Sequence, residues 1–266
     1  STGLPTKTEQ SDLNQALYGR NGECPMAVVA AHSPAHCFDA AFQAAKIALE
    51  HMTPVLLLSE GFLGNGSEPW RIPSMKDYPG IKPPFLRGVL SEGEKFRPFE
   101  RDSETLVRRW ALPGQKGFEH RVGGLEKTHA GVLSTDPANH ALMVAERAEK
   151  VARIARDLPE LEMQNGPDSG SLLVVGWGGT YGHILSAVRE IGDVSYVHFD
   201  YINPLPANTE EVFSRFGRIL VCELNSGQFA DYLRAKFPGA DIRKFNKVQG
   251  QPFLVSELVS AIQKEM

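Results

Sequence analysis

Thr2, Thr6 and Thr8, interleaved with Gly3, Pro5 and Lys7, crowd hydroxyls, a flexible glycine, a rigid proline and an ammonium into one short stretch at the start of the chain. Such a set suits a small carboxylate. The hydroxyls donate hydrogen bonds, glycine admits close backbone approach, proline fixes the turn, and lysine supplies a point charge. A capped turn with no ligand has the same composition, and the residues alone leave both readings open. The chain opens at Ser1 without a methionine, as though cut inside this motif, so its activity is expected to depend on residues and partners beyond it.

Four other constellations carry some chemistry. His32-Ser33-Pro34-Ala35-His36 sets two histidines at the spacing that grips a metal on one helix face, but Pro34 between them argues against a regular helix. A loop leading into a helix near Ser33 or His36 is the better reading, and no metal ligand set is assigned. His198 and Asp200 stand two apart on a predicted strand and so face one side, yet the chain lacks the G-x-S-x-G elbow that would complete a hydrolase triad. Gly176-Trp177-Gly178-Gly179-Thr180-Tyr181-Gly182 follows a predicted strand and opens a helix, as a dinucleotide loop does. Its third glycine falls one residue late, so a tight turn that needs glycine backbone angles is preferred. Glu223-Leu224-Asn225-Ser226-Gly227-Gln228 lies where a strand gives way to a helix, a position that suits a ligand site and a plain helix cap equally.

The elements that position these groups read as α/β. Leu13 to Tyr18 is a short predicted helix, and Met26 to Ala31 is an apolar run suited to a buried parallel strand. Phe38, Ala41, Phe42, Ala45, Ala48, Leu49 and Met52 recur at helical spacing, Pro54 ends that helix, and Val55 to Leu58 is a second strand closed by Ser59-Glu60-Gly61. Two strands leave sheet edges uncovered, so residues 1–65 read as the back half of a domain with its missing strands upstream. Residues 66–165 form a connector arm, broken repeatedly by proline and glycine and ending in a helix from His140 to about Leu158. Gln164 to Gly170 reads as a turn-rich linker, and residues 166–266 as a complete open α/β domain. Its predicted strands are 171–177, 194–200, 218–224 and 240–246, and its predicted helices 183–191, 209–216, 228–237 and 255–264.

Composition narrows the functional classes. The 266 residues carry a net charge of -4, and basic pairs such as Arg108-Arg109 stand alone, which gives no electrostatic footprint for nucleic acid. No apolar run approaches membrane-helix length and no secretory signal opens the chain, so a cytoplasmic, non-membrane protein is expected. Cys24, Cys37 and Cys222 are too widely spaced for a disulfide framework or a cluster motif, so an iron–sulfur centre would need another chain.

The opening Ser1-Thr2-Gly3-Leu4-Pro5-Thr6-Lys7-Thr8-Glu9-Gln10-Ser11-Asp12-Leu13 resembles the substrate loop of the α subunit of 2-oxoacid:ferredoxin oxidoreductases, above all the 2-oxoglutarate type. His51-Met52-Thr53-Pro54-Val55, Leu58-Ser59-Glu60-Gly61, Gly123-Gly124-Leu125-Glu126 and Glu223-x-Asn225-x-Gly227-Gln228 resemble the same family and occur in its order. The resemblance implies the remnant of a thiamine diphosphate pyrimidine-binding domain (1–65), a connector arm (66–165) and a domain like the C-terminal domain of transketolase (166–266). It further implies oxidative decarboxylation of a 2-oxoacid, most readily 2-oxoglutarate, to acyl-CoA with reduction of ferredoxin. Thr6 would recognise the acid together with an arginine three residues before Ser1, and Thr2, Gly3 and Lys7 would complete this side of the substrate site. The glutamate that activates the pyrimidine belongs upstream, so no catalytic residue is assigned to this chain and its cofactor contacts are left unassigned. A β subunit would hold the diphosphate, Mg²⁺ and a [4Fe-4S] cluster, a γ subunit or domain could join it, and the chain alone would be inactive. Competing readings are a non-catalytic assembly module that docks the β subunit, an enzyme for pyruvate or branched-chain 2-oxoacids, and a transketolase-like enzyme.

Overall fold

The computed structural model describes Leu4, Pro5 and residues 7–266. Short apolar runs that can be buried on both faces become parallel strands, and amphipathic stretches between them become covering helices. The first half follows this rule with helix α1 (Leu13–Tyr18), strand β1 (Ala27–Ala30), helix α2 (His36–Glu50), strand β2 (Val55–Leu58) and the short helix α3 (Gly61–Asn65). β1 and β2 pair in parallel, from Ala27 opposite Val55 to Ala30 opposite Leu58.

From there to residue 136 the chain is mostly irregular, with a single 3₁₀ turn at Met75–Asp77 and isolated bridges such as Phe85 with Trp110. Helix α4 (Pro137–Arg153) then begins on an Asp136 cap, whose side chain accepts from Ala138 N–H at 3.0 Å, with Pro137 in the first turn. It ends at Arg153, short of the expected Leu158, because Ile154–Asp157 tightens into a 3₁₀ turn. Arg101 pairs with Glu146 at 2.7 Å, and Lys150 donates to the carbonyl of Met52 at 3.0 Å, so α4 ties the arm to the end of α2. Burial among Arg101, Arg108 and Arg147 pulls the Lys150 ammonium down to about 8.

The second half holds β3 (Met163–Asn165), β4 (Gly170–Trp177), α5 (Tyr181–Ile191), β5 (Ser195–Phe199), β6 (Tyr201–Asn203), α6 (Thr209–Ser214), β7 (Phe216–Glu223), α7 (Gln228–Lys236), β8 (Ile242–Asn246) and α8 (Val255–Glu265). Its sheet has the order β3-β5-β4-β7-β8, parallel except for the edge strand β3. Alternation along β4 builds a core on each face. Leu173, Val175 and Trp177 meet α6 and α7, while Leu172 and Val174 meet α5 and α8.

Two expectations need correction. Gln164 and Asn165, read as the start of a linker, form part of β3, where Asn165 pairs opposite Tyr196 and its amide donates to the Val194 carbonyl at 2.8 Å. The first sheet is also not open on both sides. Tyr201–Asn203 leaves β5 after Asp200 and pairs antiparallel with β1, giving the order β2-β1-β6. An unpaired edge exposes backbone donors and acceptors, and here the second half of the chain satisfies one. Val28 and Ala30 on β1 accordingly share a core with β4, β7, α1 and α7, while Ala27, Val29 and Ala31 face Ala40 and Ile47 of α2.

The two sheets are also joined above their strand ends. Asn225 sits in the turn before α7 and is almost wholly buried. Its carbonyl oxygen accepts from Gly227 N–H (2.7 Å) and Gln228 N–H (2.9 Å), and its amide donates to the Gln10 carbonyl (2.9 Å). Asn225→Ala strips partners from these groups and is expected to cost on the order of 2 to 4 kcal/mol in urea unfolding. A loss under about 0.5 kcal/mol would show that water replaces the amide and that the junction does not depend on it.

Candidate functional site

The C-terminal ends of β1, β2, β4 and β7 converge at this junction, the place where α/β sheets present loops to ligands. Residues 9–13 cross it and cover a cleft of about 60 Å³, walled by Ala31, Leu58, Glu60, Trp177, Gly178 and Gly179.

Gln10 holds the crossing segment down. Its N–H donates to Leu224 O (3.1 Å), its side-chain oxygen accepts from Leu224 N–H (2.8 Å), and its amide donates to Trp177 O (2.7 Å). With the Asn225 bond to its carbonyl, both its backbone groups and both its amide atoms have buried partners. Gln228 adds a second clamp by donating to Ser11 O (2.9 Å) and accepting from Asn14 N–H (2.8 Å).

The Glu223-x-Asn225-x-Gly227-Gln228 stretch is thereby resolved as structure. Glu223 is fully buried, and its carboxylate accepts from Phe229 N–H and Ala230 N–H at 2.9 Å each and from the Trp177 indole at 3.3 Å. It caps the N-terminus of α7, where partial positive charge favours an anion. Burial pushes its pKa up, and those same N–H groups oppose the shift.

Glu60 was read from sequence as part of a strand ending, yet its carboxyl lies against the crossing segment. The Thr8 hydroxyl donates to Glu60 Oε2 at 2.5 Å, while Oε1 is buried with no hydrogen-bond partner. Burial raises its pKa above the usual carboxylate value, against the opposing effects of Thr8 and the Gly179 backbone. A Cβ at Gly179 would stand 1.7 Å from Glu60 Oε1, and Gly178 adopts φ +56° beside the Gln10 amide. The glycine pair therefore makes room for a carboxyl group and a polar side chain. A pyrophosphate against that carboxyl would be repelled, which agrees with the turn reading of Gly176–Gly182.

Among the expected substrate residues, Thr2, Gly3 and Thr6 lie outside the described residues, and Lys7 is exposed next to the crossing segment. Leu4 and Lys7 pack so closely on Gly250 that a Cβ there would meet Leu4 Cδ2 at 2.5 Å and Lys7 Cβ at 2.9 Å. Thr8, not assigned from sequence, is buried.

A second polar cluster occupies the same junction. His32 Nδ1 donates to Asp200 Oδ1 at 2.7 Å, His36 Nε2 lies 3.8 Å from Oδ2, and the two imidazoles stack at 3.7 Å. Asp200 stands past the end of β5 and not within it, and the chain reversal into β6 delivers it to the β1–α2 loop. Ser33 accepts from His36 N–H at 3.2 Å, so the helix starts at His36 as the sequence suggested. Burial resists charge on Asp200, but the His32 hydrogen bond and the nearby imidazoles outweigh it and hold the pKa below the ordinary value. His198, buried beneath, is driven down to about 3 by desolvation and is neutral under physiological conditions.

A family model described as pyruvate flavodoxin/ferredoxin oxidoreductase, thiamine diphosphate-binding, matches residues 1–135, half of the chain. The chain belongs to that family. The 2-oxoglutarate oxidoreductase subunit KorA of Mycobacterium tuberculosis is 48% identical over 263 residues, covering 97% of this chain and 39% of that protein. The 2-oxoglutarate synthase subunit KorA of Methanothermobacter thermautotrophicus is 26% identical over 271 residues, covering 99% of this chain and 70% of its own length. A solved 2-oxoglutarate:ferredoxin oxidoreductase of Magnetococcus marinus, with 2-oxoglutarate, coenzyme A and succinyl-CoA bound, superposes at a TM-score of 0.90 and 25% identity. It covers 100% of this chain and 46% of its own. The chain thus spans under half the length of two of these relatives and shares their α/β fold.

Among this chain's described residues, one cluster is placed to ligate an ion. The side chains grouped closely enough to ligate one ion are His32, His36 and Asp200, a nitrogen-rich set unlike the oxygen ligands that Mg²⁺ on a diphosphate prefers. The junction presents a clamped polar segment above the half-buried Glu60 carboxyl.

That carboxyl has a measurable signature. Because the folded pKa of Glu60 is raised, its stabilising contribution is complete below the unfolded value near 4.5 and is lost as pH rises through the raised value. Glu60→Gln has no such loss. Urea melts at pH 4.5 and pH 7 should show the stability of Glu60→Gln relative to wild type improving toward pH 7, and a pH-independent difference would place the Glu60 pKa at its ordinary value.

Proposed function

We propose that this chain is α-subunit sequence of a thiamine diphosphate-dependent 2-oxoacid:ferredoxin oxidoreductase that converts 2-oxoglutarate and coenzyme A to succinyl-CoA and passes the electrons to ferredoxin. The observation that carries the reading is the clamped segment: the stretch resembling the family's substrate loop leads straight into Gln10, which is fixed to Trp177, Leu224 and Asn225 at the strand ends. A loop meant to orient a small acid gains from such fixation, since the entropy of ordering it is spent on folding and not on binding. The kinship with subunits named for 2-oxoglutarate favours that acid over pyruvate or branched-chain 2-oxoacids.

In this proposal residues 1–65 belong to a pyrimidine-binding domain, residues 66–165 to an arm, and residues 166–266 to a transketolase C-terminal-like domain. Thr6, with Thr2, Gly3 and Lys7, lines the 2-oxoacid carboxylate's binding site. Lys7 supplies positive charge from the exposed side of the segment, and Thr8 anchors the loop from below through Glu60. When bound, thiamine diphosphate supplies the electron sink for decarboxylation. A β subunit holds its diphosphate, Mg²⁺ and the [4Fe-4S] cluster, and a γ subunit or domain completes the complex. The free Cys24, Cys37 and Cys222, and the lack among the described residues of any helix long and apolar enough to cross a membrane, support action in the cytoplasm.

Coexpression of the full α chain with its β subunit, followed by viologen reduction with 2-oxoglutarate and coenzyme A, tests the proposal. Thr6→Ala should raise the apparent KM for 2-oxoglutarate by about 10- to 100-fold, the worth of a hydrogen bond to a charged group. Unchanged kinetics would remove Thr6 from the site. A complex that assembles but reduces no dye with any 2-oxoacid would leave the chain an assembly module.

A further inference from the structure

Pro34 keeps His32 and His36 off a common helix face, which is the sequence argument against a metal there. The fold restores the pair by another route. The β1–α2 loop turns back so that the imidazoles stack at 3.7 Å, and the β5–β6 reversal brings the Asp200 carboxylate against both. Their candidate ligand atoms all lie within 4.8 Å of one another. We propose that His32, His36 and Asp200 form a binding site for a divalent transition-metal ion of the zinc class, which cross-links the two sheets at their junction.

Several observations support this assignment. Two imidazole nitrogens and one carboxylate oxygen are the donor set that suits Zn²⁺, Co²⁺ or Ni²⁺ over Mg²⁺ or Ca²⁺. Donors about 2.1 Å from one ion and near the tetrahedral angle stand about 3.4 Å apart. The 3.8 Å between His36 Nε2 and Asp200 Oδ2 is within a few tenths of an ångström of that spacing, and one imidazole must also turn out of the 3.7 Å stack to aim its lone pair at the shared ion. The side chains are 21%, 18% and 30% exposed, so the cluster is held on one side and open to solvent on the other. Three protein ligands with an open face leave room for a water as a fourth.

The shell around the cluster is already polar and aromatic. Tyr181 lies 4.5 Å from the His32 ring and His198 stands edge-on to it at 5.6 Å. His198 Nε2 is buried with no hydrogen-bond partner, and a buried polar atom without one marks a place for an ordered water or ion nearby. Loading keeps both rings neutral. The ion takes the place of the proton between His32 and Asp200, which moves to His32 Nε2 so that the ring ligates as a neutral imidazole. His36 coordinates through Nε2 and moves its remaining proton to Nδ1, giving up the 3.3 Å contact in which Nδ1 accepts from His32 N–H.

The consequence is mechanical. His32 and His36 belong to the first sheet and its helix, whereas Asp200 belongs to the reversal between β5 and β6. One ion would pin the two sheets together beside the clamped segment, with no part in the chemistry proposed above, so the site stands or falls independently of the enzyme's activity.

Titration of the chelator-treated full α chain with Co²⁺ tests it. One ion per chain is expected, with visible d–d absorption of a low-symmetry site that Zn²⁺ abolishes, and a Zn²⁺-dependent rise in melting temperature. His36→Gln and His32→Asn, each confirmed as folded by circular dichroism, should weaken Co²⁺ binding at least about 10- to 100-fold, because changes merely behind a metal ligand already cost that much. Wild-type chain that binds no Co²⁺ below about 100 μM, or binding that survives both substitutions, overturns the proposal. If both variants fail to fold, the wild-type absorption spectrum decides it, since an octahedral all-oxygen spectrum contradicts histidine ligation.

Discussion

The structure depends on how Gln10 is satisfied. A primary amide buried without partners costs several kcal/mol, and this one recovers that cost by bonding to the Trp177 carbonyl and the Leu224 N–H while its own backbone bonds to Leu224 and Asn225. Trp177 ends β4 and Leu224 follows β7, so one side chain near the start of the chain reads the positions of two strands more than 160 residues away. Any displacement of the opening segment breaks several bonds at once, and the satisfied network defines its position more sharply than apolar packing would.

Around that constraint the remaining polar groups form a layered support. Glu223 caps α7 and receives the Trp177 indole, which orients the strand end whose carbonyl Gln10 uses. Glu60 approaches from the first sheet and holds Thr8, and Gly179 is small because the Glu60 carboxyl occupies the space of a side chain. The two glutamates differ in kind. Glu223 has its acceptors filled by fixed donors. Glu60 keeps an unpartnered oxygen, which is why removal of its charge and removal of its shape should have separable effects.

Much of this was legible in the sequence where the signal is local. Apolar runs gave β1 and β2, three- and four-residue spacing gave α2 and α4, and the alternation of strand and helix gave β4, β7 and α7, with ends displaced by a few residues. β6 was not legible. Tyr201-Ile202-Asn203 is three residues between Asp200 and Pro204, and it is a strand because β1, remote in sequence, offers it an edge. Gln164 and Asn165 misled for the same reason, since turn-forming side chains sit in an edge strand whose partner is Tyr196.

The site follows the same division. The Glu223-to-Gln228 stretch could be located from sequence, but the choice between ligand and cap needed the coordinates of Phe229 and Ala230. Glu60 had a faint signal, a charged residue just after an apolar strand and before glycine. Nothing in the sequence ties it to Thr8, 52 positions earlier. His32, His36 and Asp200 show the limit most clearly. Helical spacing was the wrong test for the two histidines, because a loop and a chain reversal converge where no helix could place them. Local spacing predicts a site when one element carries it. Here each polar cluster spans both sheets, so the residues that position the opening segment become visible when the β1–β6 pairing is known.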